Sequence, residues 1–528
     1  MTTRDFDFAP GVSADGRQGW GAPVTVPSRA RRLFSGWSAN IFQMILGVTQ
    51  QVALVSVFLH FWTSEVLAAW LVIYAAGNLV LIADVGLQFR SINRFLAFKS
   101  SVDCDGRTAR FYAEILRIYR GLAVSLAALL VVIAWVVSPA KLLGFQFIPY
   151  FDAAFILMTA GMLLTLPSNL ASGLYRARGL YGRAVGLQNW GTLAAQLSQL
   201  AVIVATGSLL AVAIAYVSMQ ILTAIYFLAI DGPRLFPFLR GVRAKYSWPW
   251  IVGQFRRAVP FAVASGTEVA LLNLPVLLVS ALVTDRVAVA QWGLTRVVAG
   301  LLRSLCIQTA LPLAAELGHD YAVGLKDELR SLYARGSAFV TLQASLVVSG
   351  LLPFWPDFFA LWTHGTVPYD PSLAITLMIG TGVIAPSILA FSYANYSDRG
   401  DLLVRTKGLQ LVVFLALASL FIPPMGPLGA AIAVVASDVL IQFGLLGLIV
   451  IRQTLQRPFQ HVAFLAALMI LVTLAGWALG DVIRWWLPGT GLVRFIAECA
   501  LWLTVVILVA SPMLRTGLRN RLVATIPR

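Results

Sequence analysis

The 528-residue chain is short of the residues that build soluble enzymes and disulfide-linked domains. Its three cysteines, Cys104, Cys306 and Cys499, are far apart, odd in number and without C-x-x-C spacing. Neither a disulfide framework nor a zinc site is indicated, and small apolar packing roles are expected. Charged residues make up only 12% of the chain, against about 25% in an ordinary soluble domain. No G-x-x-x-x-G-K-[ST] run occurs, so a drive from ATP would need a separate subunit. A water-soluble fold is excluded.

What the chain has is apolar sequence, 59% hydrophobic, cut into runs of membrane-crossing length, about 20 residues each. Runs punctuated by charges, Pro and Gly place spans near 38–61, 66–89, 121–138, 152–174, 185–206, 208–230, 258–283, 287–312, 337–353, 372–396, 408–423, 427–450, 460–480 and 493–511. The fold class is therefore all-α, a polytopic membrane protein of about fourteen helices. The first 36 residues are polar and end in the basic run Arg29, Arg31, Arg32, which reads as a disordered cytoplasmic tail and not a signal peptide.

The formal charge of +16 is a topology signal before it is anything else. With the N-terminus inside, 33 of the 39 Lys and Arg fall in the tails and in every second loop, Lys407 among them in the loop before span eleven. Four fall outside, and two, Arg296 and Arg303, fall within a span. Both termini are expected on the cytoplasmic side, with the loop cations meeting anionic bilayer lipids and no nucleic acid.

Three segments recur at offsets of 219 to 222. Thr63-Ser-Glu-Val-Leu-Ala-Ala-Trp70 matches Thr284-Asp-Arg-Val-Ala-Val-Ala-Gln-Trp292; Pro167-Ser-Asn-Leu-Ala, with Gly186-Leu-Gln188, matches Pro386-Ser-Ile-Leu-Ala, with Gly408-Leu-Gln410; and Gly207 to Ser218 matches Gly426 to Ser437. Six spans per copy give the copies one orientation, so two six-helix bundles are expected to flank a central cavity. The expected domains are a tail over 1–36, a first bundle over 37–232, a cytoplasmic linker over 233–257, a second bundle over 258–455, and two extra helices with a basic tail over 456–528.

Ionisable groups inside a span are costly, so each is a candidate site. Arg296 and Arg303, seven residues apart, project from nearly one helix face about 10 Å apart along the axis, and a guanidinium fork suits phosphate oxygens. Glu268 on span seven is expected at the depth of Arg296, either pairing with it as a helix clamp or sharing the cavity. Asp438 on span twelve is the candidate for coupling to a proton or sodium gradient; no cofactor, metal or catalytic residue is expected. Asp84 and Arg90, at the inner end of span two, are candidates for an inner gate, with helix-end anchoring as the plainer account of Asp84. Glu498 lies outside the duplication and reads as structural. Amides on other spans, including Gln188, Asn189 and Asn273, suit a sugar-lined path or interhelical bonding equally.

Asp84-Val-Gly-Leu87 followed by basic residues resembles the D-x-G-L element of bacterial polysaccharide flippases. Pro167-Ser-Asn-Leu with its Arg-Gly loop, Ala310-Leu-Pro312, Phe358-Phe-Ala-Leu-Trp362 with Gly365, and Gly426-Pro-Leu-Gly-Ala-Ala431 are similar pieces, in order over residues 38–452. The resemblance is to the O-antigen and exopolysaccharide translocases of the multidrug, oligosaccharidyl-lipid and polysaccharide exporter superfamily. It implies movement of polyprenyl-pyrophosphate-linked oligosaccharide across the bacterial inner membrane by alternating access, with cavity cations receiving the pyrophosphate, and a polysaccharide polymerase and chain-length machinery as partners. Spans one and two carry no mid-membrane Arg, unlike the lipid II flippases of that superfamily.

Two rival readings differ in kind. A cation-coupled multidrug antiporter of the same superfamily would favour acidic groups in its cavity, where this chain offers two arginines. A membrane-embedded glycosyltransferase or polymerase would use Asp103-Cys-Asp105, but its inner loop is too small for a nucleotide-binding domain.

Overall fold

A computed structural model of the protein describes residues 29–84, 86–98, 106–242, 247–397, 399–487, 489, 491–511 and 526. Residues 1–28, the Asp103-Cys-Asp105 element and the tail beyond 511, apart from 526, lie outside the described residues. Fourteen membrane-length helices run through the described part: α1 (29–61), α2 (Ser64–Asp84), α3 (Arg107–Val137), α4 (Phe151–Ala177), α5 (Tyr181–Thr206), α6 (Leu209–Leu235), α7 (Trp248–Leu282), α8 (Arg286–Val323), α9 (Lys326–Trp362), α10 (Pro371–Tyr396), α11 (Gly400–Met425), α12 (Pro427–Thr454), α13 (Pro458–Trp486) and α14 (Leu492–Ala510). Twelve of these are long and apolar enough to cross a membrane by composition; α1 and α5 are the two outside that group. An amphipathic helix, Leu87–Ala97, follows α2.

The short turns of one face are closed by local chemistry. Thr63 caps α2 through Val66 N at 3.4 Å, Asp285 caps α8 through Val287 N at 2.9 Å, and Asp370 caps α10 through Ser372 N at 2.9 Å. At the other, basic face the helices overrun their apolar runs. α1 starts at Arg29, so the end of the expected tail is helical; α7 starts at Trp248, inside the expected linker; α11 starts at Gly400 and not near 408. Arg, Lys and Glu are good helix formers, and a charged turn at the end of an apolar helix marks the membrane boundary, not the helix boundary.

Packing repeats with the sequence. In the first half α1 packs on α5, α2 on α4, α3 on α4, α4 on α6 and α5 on α6; the second half repeats each pairing six helices on, α7 on α11, α8 on α10, α9 on α10, α10 on α12 and α11 on α12. The sixth helix of each half carries a π-helical stretch, Tyr226–Asp231 in α6 and Asp438–Gly447 in α12. The fold is thus two six-helix bundles related by internal duplication, with α13 and α14 as a hairpin laid against α9. α5 falls short on hydropathy because its amides bond α1: Asn189 Nδ2 donates to Ala39 O at 2.7 Å and Gln196 Nε2 to Leu46 O at 2.9 Å. For Asn189, interhelical bonding is what the structure shows.

The bundles meet mainly where α2 crosses α7 and α8. Gly293 of α8 permits that approach, since a Cβ there would stand 2.6 Å from Leu71 Cδ1 of α2. Gly293→Ile is expected to wedge the crossing open and cost about 1–3 kcal/mol, read as a lower unfolding temperature of the purified protein. An unchanged temperature would mean the contact yields without strain.

Candidate functional site

A cavity of about 330 Å³ opens between the bundles. The first bundle contributes Gln50 from α1, Trp70, Tyr74 and Asn78 from α2, and Gln199 from α5; the second contributes Asn273 from α7 and Trp292, Arg296 and Arg303 from α8. Trp70 and Trp292 are matched residues of the duplicated motif, so both copies present the same ring to one space. Arg296 and Arg303 both line this cavity. Their partners differ.

Arg303 is the centre of a buried charge network held wholly within the second bundle. Its Nη2 donates to Glu268 Oε2 at 2.9 Å and to Gln442 Oε1 at 3.3 Å, and its Nη1 donates to Asp438 Oδ2 at 3.1 Å. Lys407 Nζ donates to Glu268 Oε1, to Gln410 Oε1 at 2.9 Å and to Gln442 Oε1 at 2.7 Å, and lies 4.6 Å from the Phe391 ring centroid. Gln410 Nε2 closes the circuit on Asp438 Oδ1 at 2.5 Å. Two cations face two carboxylates across two glutamines, so the network is neutral and each carboxylate oxygen has a donor. Neutrality with complete hydrogen bonding is what allows ionised groups to persist inside a bundle.

The expected Glu268–Arg296 pair is not formed. Arg296 donates instead to the Leu272 carbonyl oxygen and has no carboxylate partner among the described residues. α7 and α8 run antiparallel from a turn at 283–285; Leu272 and Arg296 are each ten residues from their helix ends there, Glu268 is fourteen and Arg303 seventeen, so Glu268 lies between the two arginines in depth and pairs with the deeper one. Lys407 is likewise corrected. It is no loop cation but 1% exposed within α11, where the late start assigned to span eleven had hidden it. The visible signal was Lys407 with Gln410 one turn on, a polar pair on one face of an apolar helix.

No protein-family model matches the chain, and no curated protein matches it. Solved structures do. The lipid II flippase MurJ in an inward closed conformation superposes with a TM-score of 0.67 at 11% identity, covering 91% of this chain and all of MurJ. A MATE-family multidrug transporter of the MOP superfamily, inward-facing, gives 0.61 at 13% identity over 84% of this chain and 99% of its own. A MATE transporter of Vibrio cholerae gives 0.53 at 15% identity over 80% and 96%. The chain shares the fold of these proteins.

In this MOP-type arrangement the remaining candidates separate by face. On the basic face Asp84 accepts from Gln88 N and Asn169 Nδ2, each at 3.2 Å, and from the Tyr119 hydroxyl, which ties α2 to α3 and α4 inside the first bundle. Arg90 spans the bundles, Nε donating to Gln254 Oε1 of α7 at 2.8 Å. On the opposite face Trp362 Nε1 donates to Val52 O at 2.7 Å, and Arg286 Nη1 and Ser280 Oγ donate to Leu143 O at 2.9 and 2.8 Å. Glu498, fully buried, accepts from Arg494 Nε at 2.8 Å within α14. Among the described residues no group of His, Cys, Asp and Glu is placed to hold a metal ion.

Proposed function

We propose that the protein carries polyprenyl-diphosphate-linked oligosaccharide across the bacterial inner membrane by alternating access, for surface polysaccharide assembly. One observation carries this reading: Arg296 stands in the interbundle cavity with no carboxylate to neutralise it, beside amides and aromatic rings. An uncompensated guanidinium in low dielectric favours a phosphate and disfavours an organic cation. The fold is one shared by a lipid II flippase and by multidrug transporters, which supports a lipid-linked or amphipathic cargo.

In the proposed cycle the bundles over 37–232 and 258–455 move against each other about the α2 crossing, joined by the segment 233–257. Arg296 takes the diphosphate, with Arg303 forming the adjoining wall and Glu268, outside the lining, holding Arg303 in place. Asp438, between Arg303 and Gln410, is assigned to coupling with protons or sodium. Arg90 with Gln254 closes the basic face, and Asp84 holds the α2 end that carries it. The charge of its loops favours the cytoplasm for that face, where lipid-linked substrate is made, and a polymerase and chain-length proteins on the far side would receive the product.

The test is deletion of the gene in the producing bacterium. Loss of surface polysaccharide with lipid-linked precursor retained on the cytoplasmic leaflet is expected. Normal polysaccharide with raised drug susceptibility would overturn the reading in favour of the antiporter.

A further inference from the structure

Two residues that line the interbundle cavity carry between them three buried polar atoms without a hydrogen-bond partner. Gln199 Nε2 and Oε1 are both unpaired although the residue is 1% exposed, and Trp292 Nε1 is unpaired in a residue 2% exposed. Both residues line the cavity, Gln199 from α5 of the first bundle and Trp292 from α8 of the second. The neighbouring amides are partly satisfied, and Gln196, whose Oε1 is also unpaired, does not line the cavity. Gln196, one turn earlier on α5, spends its Nε2 on Leu46 O and Gln50 Oε1, and Asn273 spends its Nδ2 on Val269 O. Of the indoles outside the cavity lining, Trp62 and Trp362 donate to backbone carbonyls, and Trp355 Nε1 is unpaired.

A buried amide with neither donor nor acceptor satisfied costs free energy unless a ligand completes it. The missing partner must both accept and donate, because Gln199 offers an amide NH2 and a carbonyl oxygen and Trp292 offers only a donor. A sugar hydroxyl does both, and the indole face offers the apolar surface that a pyranose ring covers. The space is at the small end of ligand pockets, which run from about 300 to 1,000 Å³. It holds a sugar next to Arg296, four residues from Trp292 and so one turn along α8.

We propose that Gln199 and Trp292 form a sugar subsite that reads the first saccharide attached to the diphosphate, a neutral hexose or N-acetylhexosamine. This rests on the diphosphate reading of Arg296. Cargo is thereby selected from both bundles at once, since neither bundle supplies both residues.

The experiment measures affinity of the purified protein in nanodiscs for three probes sharing a geranyl chain: geranyl diphosphate, geranyl-diphosphate N-acetylglucosamine, and the uncharged geranyl N-acetylglucosaminide. The sugar is expected to raise affinity about tenfold, the worth of one to two buried hydrogen bonds. Gln199→Leu and Trp292→Phe are each expected to erase that sugar increment and leave geranyl diphosphate binding unchanged. Trp292→Phe keeps a ring in place, so a fold defect in one variant does not remove the other. Equal affinity with and without the sugar, or variants that weaken all three probes alike, would overturn the subsite. A sugar increment that survives while the diphosphate adds nothing would instead overturn the reading of Arg296 and leave the subsite standing.

Discussion

Arg296→Ala is expected to abolish surface polysaccharide in cells at unchanged protein abundance, while Arg303→Ala loses polysaccharide and abundance together. The two residues share a helix face and a cavity, and sequence alone treats them alike. Their surroundings do not. Removing Arg296 deletes one bond to the Leu272 carbonyl oxygen and strands no charge. Removing Arg303 leaves Glu268 and Asp438 with a single cation, Lys407, which does not contact Asp438 directly. Unpairing a buried charge costs about 3–5 kcal/mol, a large part of the stability of most domains. Immunoblots of membranes beside polysaccharide staining separate the outcomes. Loss of protein in the Arg296 variant would make that residue a structural clamp and remove the main support for an anionic cargo.

Lys407→Met should be among the most damaging single changes in the second bundle, lowering stability by about 3–5 kcal/mol. The ammonium touches Glu268, Gln410 and Gln442, and its loss leaves two carboxylates against one guanidinium, with Glu268 Oε1 and Gln410 Oε1 without a donor and Gln442 Oε1 held by Arg303 alone. Adding Glu268→Gln to it restores neutrality. The double variant is therefore expected to recover much of the loss, and a double-mutant cycle on unfolding temperature reads the coupling directly. Additive effects in that cycle would show that the two side chains do not depend on one another.

The order and rough position of the helices were legible because apolar runs, punctuation and alternating basic loops are one-dimensional signals. The pairing of the halves was legible through Trp70 and Trp292, Pro167 and Pro386, and Gly207 and Gly426, which fall at one offset. What escaped was depth and partner. Counting from opposite ends of two helices pairs Glu268 with Arg296, and an error of four residues is a full turn. Lys407 has the look of a loop cation because helix ends at the basic face carry charge without breaking, so composition alone places the boundary too late. Gln410 and Gln442 were invisible as members of a network, since a glutamine on an apolar helix has no pattern until its neighbours on other helices are known.

The duplication also holds a comparison that the molecule makes with itself. At the offsets that align the two halves, the four charged positions of the network, Glu268, Arg303, Lys407 and Asp438, correspond to Gly47, Leu81, Val185 and Met219 of the first bundle. Val185 is 2% exposed and Lys407 1%, so the same buried place on the same scaffold is filled by a methyl pair in one copy and an ammonium in the other. The architecture tolerates either. Two bundles that pack alike have thus parted in polarity, the one greasy and amide-bonded, the other carrying an internal electrolyte that its own twin folds without.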